Sequence, residues 1–154
     1  MSFLDKIFGS EQSLQKCPRC LGKGHVDWDD IMRLDKELKW MPGSCAYCNG
    51  IGKVGSKIVE KVAVDTTYLV TNLSADEANK VRNGDPEALK RGKQYDEQID
   101  AFIDQISFLV TKTDLEIDQI AEFFLIGKEN SEFYESEKEN LIDYINRLKQ
   151  KKER

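Results

Sequence analysis

Cys17-Pro18-Arg19-Cys20-Leu21-Gly22-Lys23-Gly24 and Cys45-Ala46-Tyr47-Cys48-Asn49-Gly50-Ile51-Gly52 are two copies of one pattern, C-x-x-C-x-G-x-G, and hold all four cysteines of the chain. Two cysteines three positions apart point their sulfurs at one place across a tight turn. Two such turns supply the four thiolates of a tetrahedral zinc site. One Zn²⁺ per chain is therefore expected, with Cys17, Cys20, Cys45 and Cys48 as ligands. The glycines fit this reading, because a turn folding back beneath a metal needs positive φ and close backbone approach. Three other readings stand beside it: a disulfide pair, a redox C-x-x-C, or ordinary buried thiols. Disulfides suit a secreted chain, but no signal peptide is legible and cysteines number only 4 in 154 residues. A thioredoxin-like centre takes one C-x-x-C at a strand end in a βαβ unit, and here two lie in glycine-rich turns.

The repeated pattern resembles the cysteine-rich zinc domain of DnaJ-type chaperones, and is similar to the single-zinc versions in small DnaJ-like assembly factors and anti-TRAP. The resemblance covers residues 17–24 and 45–52. It implies a zinc-stapled β-hairpin module that binds proteins, with Gly22, Gly24, Gly50 and Gly52 as its turn residues. The chain also departs from that family. DnaJ proteins carry four repeats and two zincs, whereas here two repeats are separated by the 24 residues between Cys20 and Cys45. The J-domain's His-Pro-Asp triplet is missing, since the single histidine, His25, precedes Val26. A zinc module, and not a co-chaperone, is what the resemblance implies.

Composition bounds the rest. With 154 residues, 40% of them apolar, the chain has room for one or two small domains. No apolar run approaches the roughly 20 residues needed to span a bilayer, and a cytoplasmic location is expected. The formal net charge is −5, which disfavours a nucleic-acid surface. The charge is uneven: residues 1–64 carry 10 Lys/Arg against 8 Asp/Glu, and residues 65–154 carry 13 against 20.

Three divisions follow: residues 1–16 as a short helix and linker, 17–73 as the zinc module with a following strand, and 74–154 as a helical bundle. Phe3, Leu4, Ile7 and Phe8 share one side of the first segment, which suits docking on the body or on a partner. Between the cysteine pairs, Asp27 is placed to cap a helix with Ile31, Leu34, Leu38 and Met41 on one face, stopped by Pro42-Gly43. Trp28 and Trp40 flank this insert, either packing on the zinc hairpin or presenting an aromatic patch. His25 lies near the metal in sequence, but four thiolates complete the shell.

Lys57 to Val70 alternates, with Ile58, Val62, Val64, Tyr68 and Val70 on one parity, and reads as a strand. Such a strand needs a hydrogen-bonded neighbour, so a homo-oligomer stays open. From Ser74 the pattern becomes helical. Ser74 with Glu77 is a capping box, Asn83-Gly84 a break, and Asp85-Pro86 the start of a helix running to Val110 with Ile99, Phe102, Ile103, Ile106 and Leu109 at helical spacing. Thr113 with Glu116 opens a further helix ended by Gly127, and a last one starts near Ser131. The rhythm of 113–148 is that of a helix-turn-helix, but Glu132, Glu135, Glu137 and Glu139 would repel phosphate.

The expected fold class is α+β: a zinc-stapled β-hairpin module with a helical insert, and a C-terminal α-helical bundle. The expected function is non-enzymatic, a chaperone-like or adaptor module binding another protein, with no catalytic residues and no small-molecule substrate. A closed four-thiolate site leaves no coordination position for substrate. The alternative is a nucleic-acid-binding or transcription-regulatory protein using the zinc module. Arg19, Trp40 and Tyr47 are the expected partner-binding residues, at or near the hairpin tips and of the types that dominate interface energetics.

Overall fold

The computed structural model describes residues 13–153 and has the mixed α and β architecture expected. The expected helix at residues 1–9 lies outside them. Four short strands, β1 (Leu14–Lys16), β2 (His25–Val26), β3 (Gly43–Ser44) and β4 (Lys53–Gly55), flank the two cysteine knuckles. β1 pairs antiparallel with β4, Gln15 opposite Val54, and β2 with β3, His25 opposite Ser44. The strand entering one knuckle thus pairs with the strand leaving the other, which brings the knuckles face to face.

Helix α1 (Trp28–Arg33) lies between them, α2 (Ser56–Lys61) follows β4, and α3 (Ala75–Arg82), α4 (Pro86–Lys112), α5 (Ile117–Phe124) and α6 (Tyr134–Glu153) complete the chain. The chain divides into two compact units, one up to Glu97 and one from Gln98. The boundary expected after residue 73 differs because Ala78, Val81 and Ala88, from α3 and the start of α4, share a core with the four cysteines. In the second unit Ile106, Ile120, Ala121, Leu125, Ile145 and Leu148 are buried. Phe102 sets its ring against Phe124 and Tyr144.

Local chemistry explains where the helices begin. Asp27 caps α1 reciprocally with Asp30, each side chain accepting the other residue's backbone N–H. The insert helix is shorter than expected: it ends at Leu34, Asp35 takes φ 60°, and Met41 is exposed. Ser74 caps α3 by accepting from the Glu77 N–H, and Asp85 accepts from the Ala88 N–H beside Pro86. The box at the next helix is shifted from the expected Thr113–Glu116. Glu116 is the N-cap of α5 and pairs with Gln119, while Thr113 donates its hydroxyl back to Leu109.

The largest correction concerns 57–70, where the expected strand is absent. Residues 56–61 are helical and 62–73 form a chain of turns. Ile58 and Val62 are also four apart, so the apolar spacing that reads as alternation serves a helical turn equally well. What replaces strand pairing in 62–69 is a set of side-chain donors, described next.

Candidate metal centre

The four cysteines are fully buried and their sulfurs lie within 4.8 Å of one another. Across the knuckles Cys17 Sγ is 3.8 Å from Cys45 Sγ, and Cys20 Sγ is 3.7 Å from Cys48 Sγ. A regular tetrahedron of sulfurs about 2.3 Å from a zinc ion has edges of about 3.8 Å. A disulfide would need about 2.05 Å, so these are separate thiols facing one point. Chain connectivity supports the geometry: Cys17 N–H donates to Gly52 O at 2.9 Å and Cys45 N–H to Gly24 O at 3.0 Å, each knuckle tied to the end of the other.

The last glycine of each repeat acts twice. Gly24 N–H points at Cys20 Sγ (3.3 Å) and Gly52 N–H at Cys48 Sγ (3.1 Å), donors that favour thiolate over thiol. Both glycines have φ above +80°, and a Cβ at either would sit 2.6 Å from the carbonyl oxygen of Gly50 or Gly22. That is closer than backbone atoms tolerate. Gly52→Ala is therefore expected to weaken metal affinity roughly 10- to 100-fold, the range seen when the groups supporting metal ligands are disturbed. Competition against a chromophoric chelator measures it, and an affinity equal to the parent's would show that the knuckles yield without cost.

Without a cation the sulfurs compete for protons. Hydrogen bonds with Cys45 and Cys48, together with burial, push the Cys17 thiol up, whereas bonds from Cys17 and Cys45 hold Cys48 down to about 2. Four buried sulfurs cannot all ionise unless a cation offsets the charge. The donor set, its spacing and its burial fit a bound metal ion. Comparison with protein-family models, with curated proteins and with solved structures finds no match. His25 is exposed on β2 and is not part of the cluster.

The residues expected to meet a partner are inside. Arg19, Trp40 and Tyr47 are 2%, 5% and 0% exposed, so the expectation of an exposed tip is corrected. Each donates to a backbone carbonyl of the same segment. Arg19 reaches Val64 O (2.9 Å), Thr66 O (3.0 Å) and Leu69 O (2.5 Å), while Trp40 Nε1 reaches Thr67 O (3.2 Å) and Tyr47 Oη reaches Val62 O (2.8 Å). Segment 62–69 is thus an arch whose carbonyls turn inward. Its absent strand partner is replaced by three side chains from the metal module. The Arg19 guanidinium lies 4.2 Å from the Trp40 ring centroid and 5.3 Å from that of Tyr47.

Burial draws the Arg19 pKa down to about 10, which leaves it cationic at neutral pH, and the neighbouring Cys45 and Cys17 oppose the shift. A tetrathiolate around a divalent ion carries net negative charge, so a buried guanidinium beside it is electrostatically matched. Burial likewise pushes the Tyr47 hydroxyl up to about 12, keeping it a donor.

One contributor escaped the sequence reading. Asp30, 1% exposed, closes the capping box of α1 by accepting the Asp27 N–H and takes ion pairs from Lys23 (2.8 Å) and Arg33 (3.2 Å), while Arg33 also donates to Arg19 O. The Asp27-x-x-Asp30 spacing was the available signal, since an acidic residue three after a cap is a capping-box pattern. The inward arch had no such signal. Alternating apolar residues do not say which way carbonyls point.

Proposed function

We propose that the chain is a zinc-stabilised, non-enzymatic protein-binding module of the chaperone-like or adaptor kind, built on a single-zinc version of the DnaJ-type C-x-x-C-x-G-x-G knuckle pair. The observation that carries the reading is the four fully buried sulfurs facing one point at 3.7–3.8 Å across the knuckles. All-thiolate donors select zinc over magnesium or calcium, and a four-ligand set is closed to substrate. The metal then serves the fold, and function passes to surfaces. A cytoplasmic location accords with it, because a reducing compartment keeps such thiols available to metal. Among the described residues no helix is long and apolar enough to cross a membrane.

With Arg19, Trp40 and Tyr47 interior, the apolar side chains left at the surface of this unit include Leu21, Trp28 and Met32, the last two one turn apart on α1. Native mass spectrometry of the purified chain is expected to give a mass increment of one zinc that a chelator removes. An apo protein with disulfide-linked cysteines, or an iron–sulfur absorption spectrum, would sink the reading.

A further inference from the structure

We propose that a hollow on the outer side of α5 is a docking surface for a cationic amphipathic helix. α5 buries Ile120 and Ala121 against its own unit, yet its other side is apolar as well. Leu115, Phe123 and Ile126 are 40%, 49% and 70% exposed, and with Tyr134 they line a hollow of ≈ 450 Å³. Gln119, Phe123 and Ile126 repeat at i, i+4 and i+7, so the hollow follows the axis of α5 and continues past its end. Exposed large apolar side chains gathered in one concavity mark interaction sites in soluble domains.

Charge selects the occupant. Glu122 and Glu129 stand on the rim, and residues 113–138 hold eight carboxylates (Asp114, Glu116, Asp118, Glu122, Glu129, Glu132, Glu135 and Glu137) against two bases, Lys128 and Lys138. Lys138 pairs with Glu122 at 2.8 Å, an internal example of an ammonium held by one of these carboxylates. An apolar floor with an acidic rim matches a helix whose Leu or aromatic anchors lie on one face and whose Lys or Arg residues flank them. A second copy of the chain would bring an identical acidic rim against this one, and an anionic membrane would be repelled in the same way. The proposal rests on the reading that the chain binds another protein, though not on the metal.

The test titrates the full metal-loaded chain with a fluorescent synthetic peptide of Leu, Trp, Lys and Arg patterned at helical spacing, and with its scrambled isomer. The patterned peptide is expected to bind about tenfold or more tighter than the scramble, and Phe123→Ser with Ile126→Ser to remove about tenfold or more of that affinity. Affinity should fall as salt rises, and the backbone amides shifted in NMR spectra should gather between residues 115 and 134. Both replaced side chains are about half exposed or more, and an unchanged circular dichroism spectrum confirms the fold of the variant. Equal binding of the scramble, equal binding by the double variant, or shifts centred elsewhere would overturn the proposal. So would a concentration-dependent dimer abolished by the double variant, which would assign the hollow to self-association. Peptide binding by a chain that purifies without zinc and with disulfide-linked cysteines sinks only the metal reading, and a zinc protein that ignores the peptide sinks only this one.

Discussion

Chelating the metal, or replacing Cys48 with serine, is expected to unfold the chain up to Glu97 and leave the helices beyond it in place. The expected loss is large because structural zinc supplies apparent binding free energies of about 10–16 kcal/mol at pH 7, against total stabilities of about 5–15 kcal/mol for ordinary domains. The cysteines are not peripheral to the first unit. They are members of its core together with Ile31, Tyr47, Val54, Leu69 and Val81. Arg82 of α3 donates to Ala46 O inside the second knuckle at 2.7 Å, and Tyr68 and Arg91 both bond Glu77, so α3 and the first turns of α4 are fastened to the metal module. Loss of metal should therefore take residues 75–97 with it, although they are helical. The second unit encloses Ile106, Ile120, Ile145 and Leu148 without any thiol. Amide hydrogen exchange before and after chelation distinguishes the outcomes. Rapid exchange through residues 13–97 with protection kept beyond 98 is expected, and a collapse of both regions together would show one cooperative unit.

Arg19→Ala should be the next most damaging change, by roughly 3–5 kcal/mol, the cost typical of removing one partner from a buried charged network. Its removal strips three carbonyls of their donor in a site that is 2% exposed and deprives two aromatic rings of a stacked cation. Arg19→Lys should recover only part of the loss, since an ammonium on a flexible stem cannot reproduce a planar fork reaching Val64, Thr66 and Leu69 together. Because the same residue stands between two ligands, metal affinity should fall alongside thermal stability. Urea unfolding of the zinc-loaded variants measures the first and chelator competition the second. A stable Arg19→Ala protein with normal zinc affinity would mean that the 62–69 arch is dispensable. Tyr47→Phe offers a smaller step of about 1 kcal/mol, the usual net worth of one hydrogen bond, by deleting only the bond to Val62 O.

The parts of this protein legible in its residue order are those whose physics is local. The two C-x-x-C-x-G-x-G repeats state four donors and their turns. Asp27, Ser74 and Asp85-Pro86 mark helix starts because a cap acts on amides two or three residues away, and the apolar series from Ile99 to Leu109 marks a helix face because 3.6 residues make a turn. Features that depend on distant neighbours were not legible. Segment 57–70 has a spacing shared by strand and helical turn, and its conformation was settled by Arg19, Trp40 and Tyr47 reaching across the fold to its carbonyls. Those three residues have the composition of an interface because they make one, with another stretch of their own chain. The unit boundary at Glu97 likewise lies within a continuous helix. Backbone propensity runs unbroken there, and only the packing of Ala78, Val81 and Ala88 on the cysteine core assigns the start of that helix to the metal module.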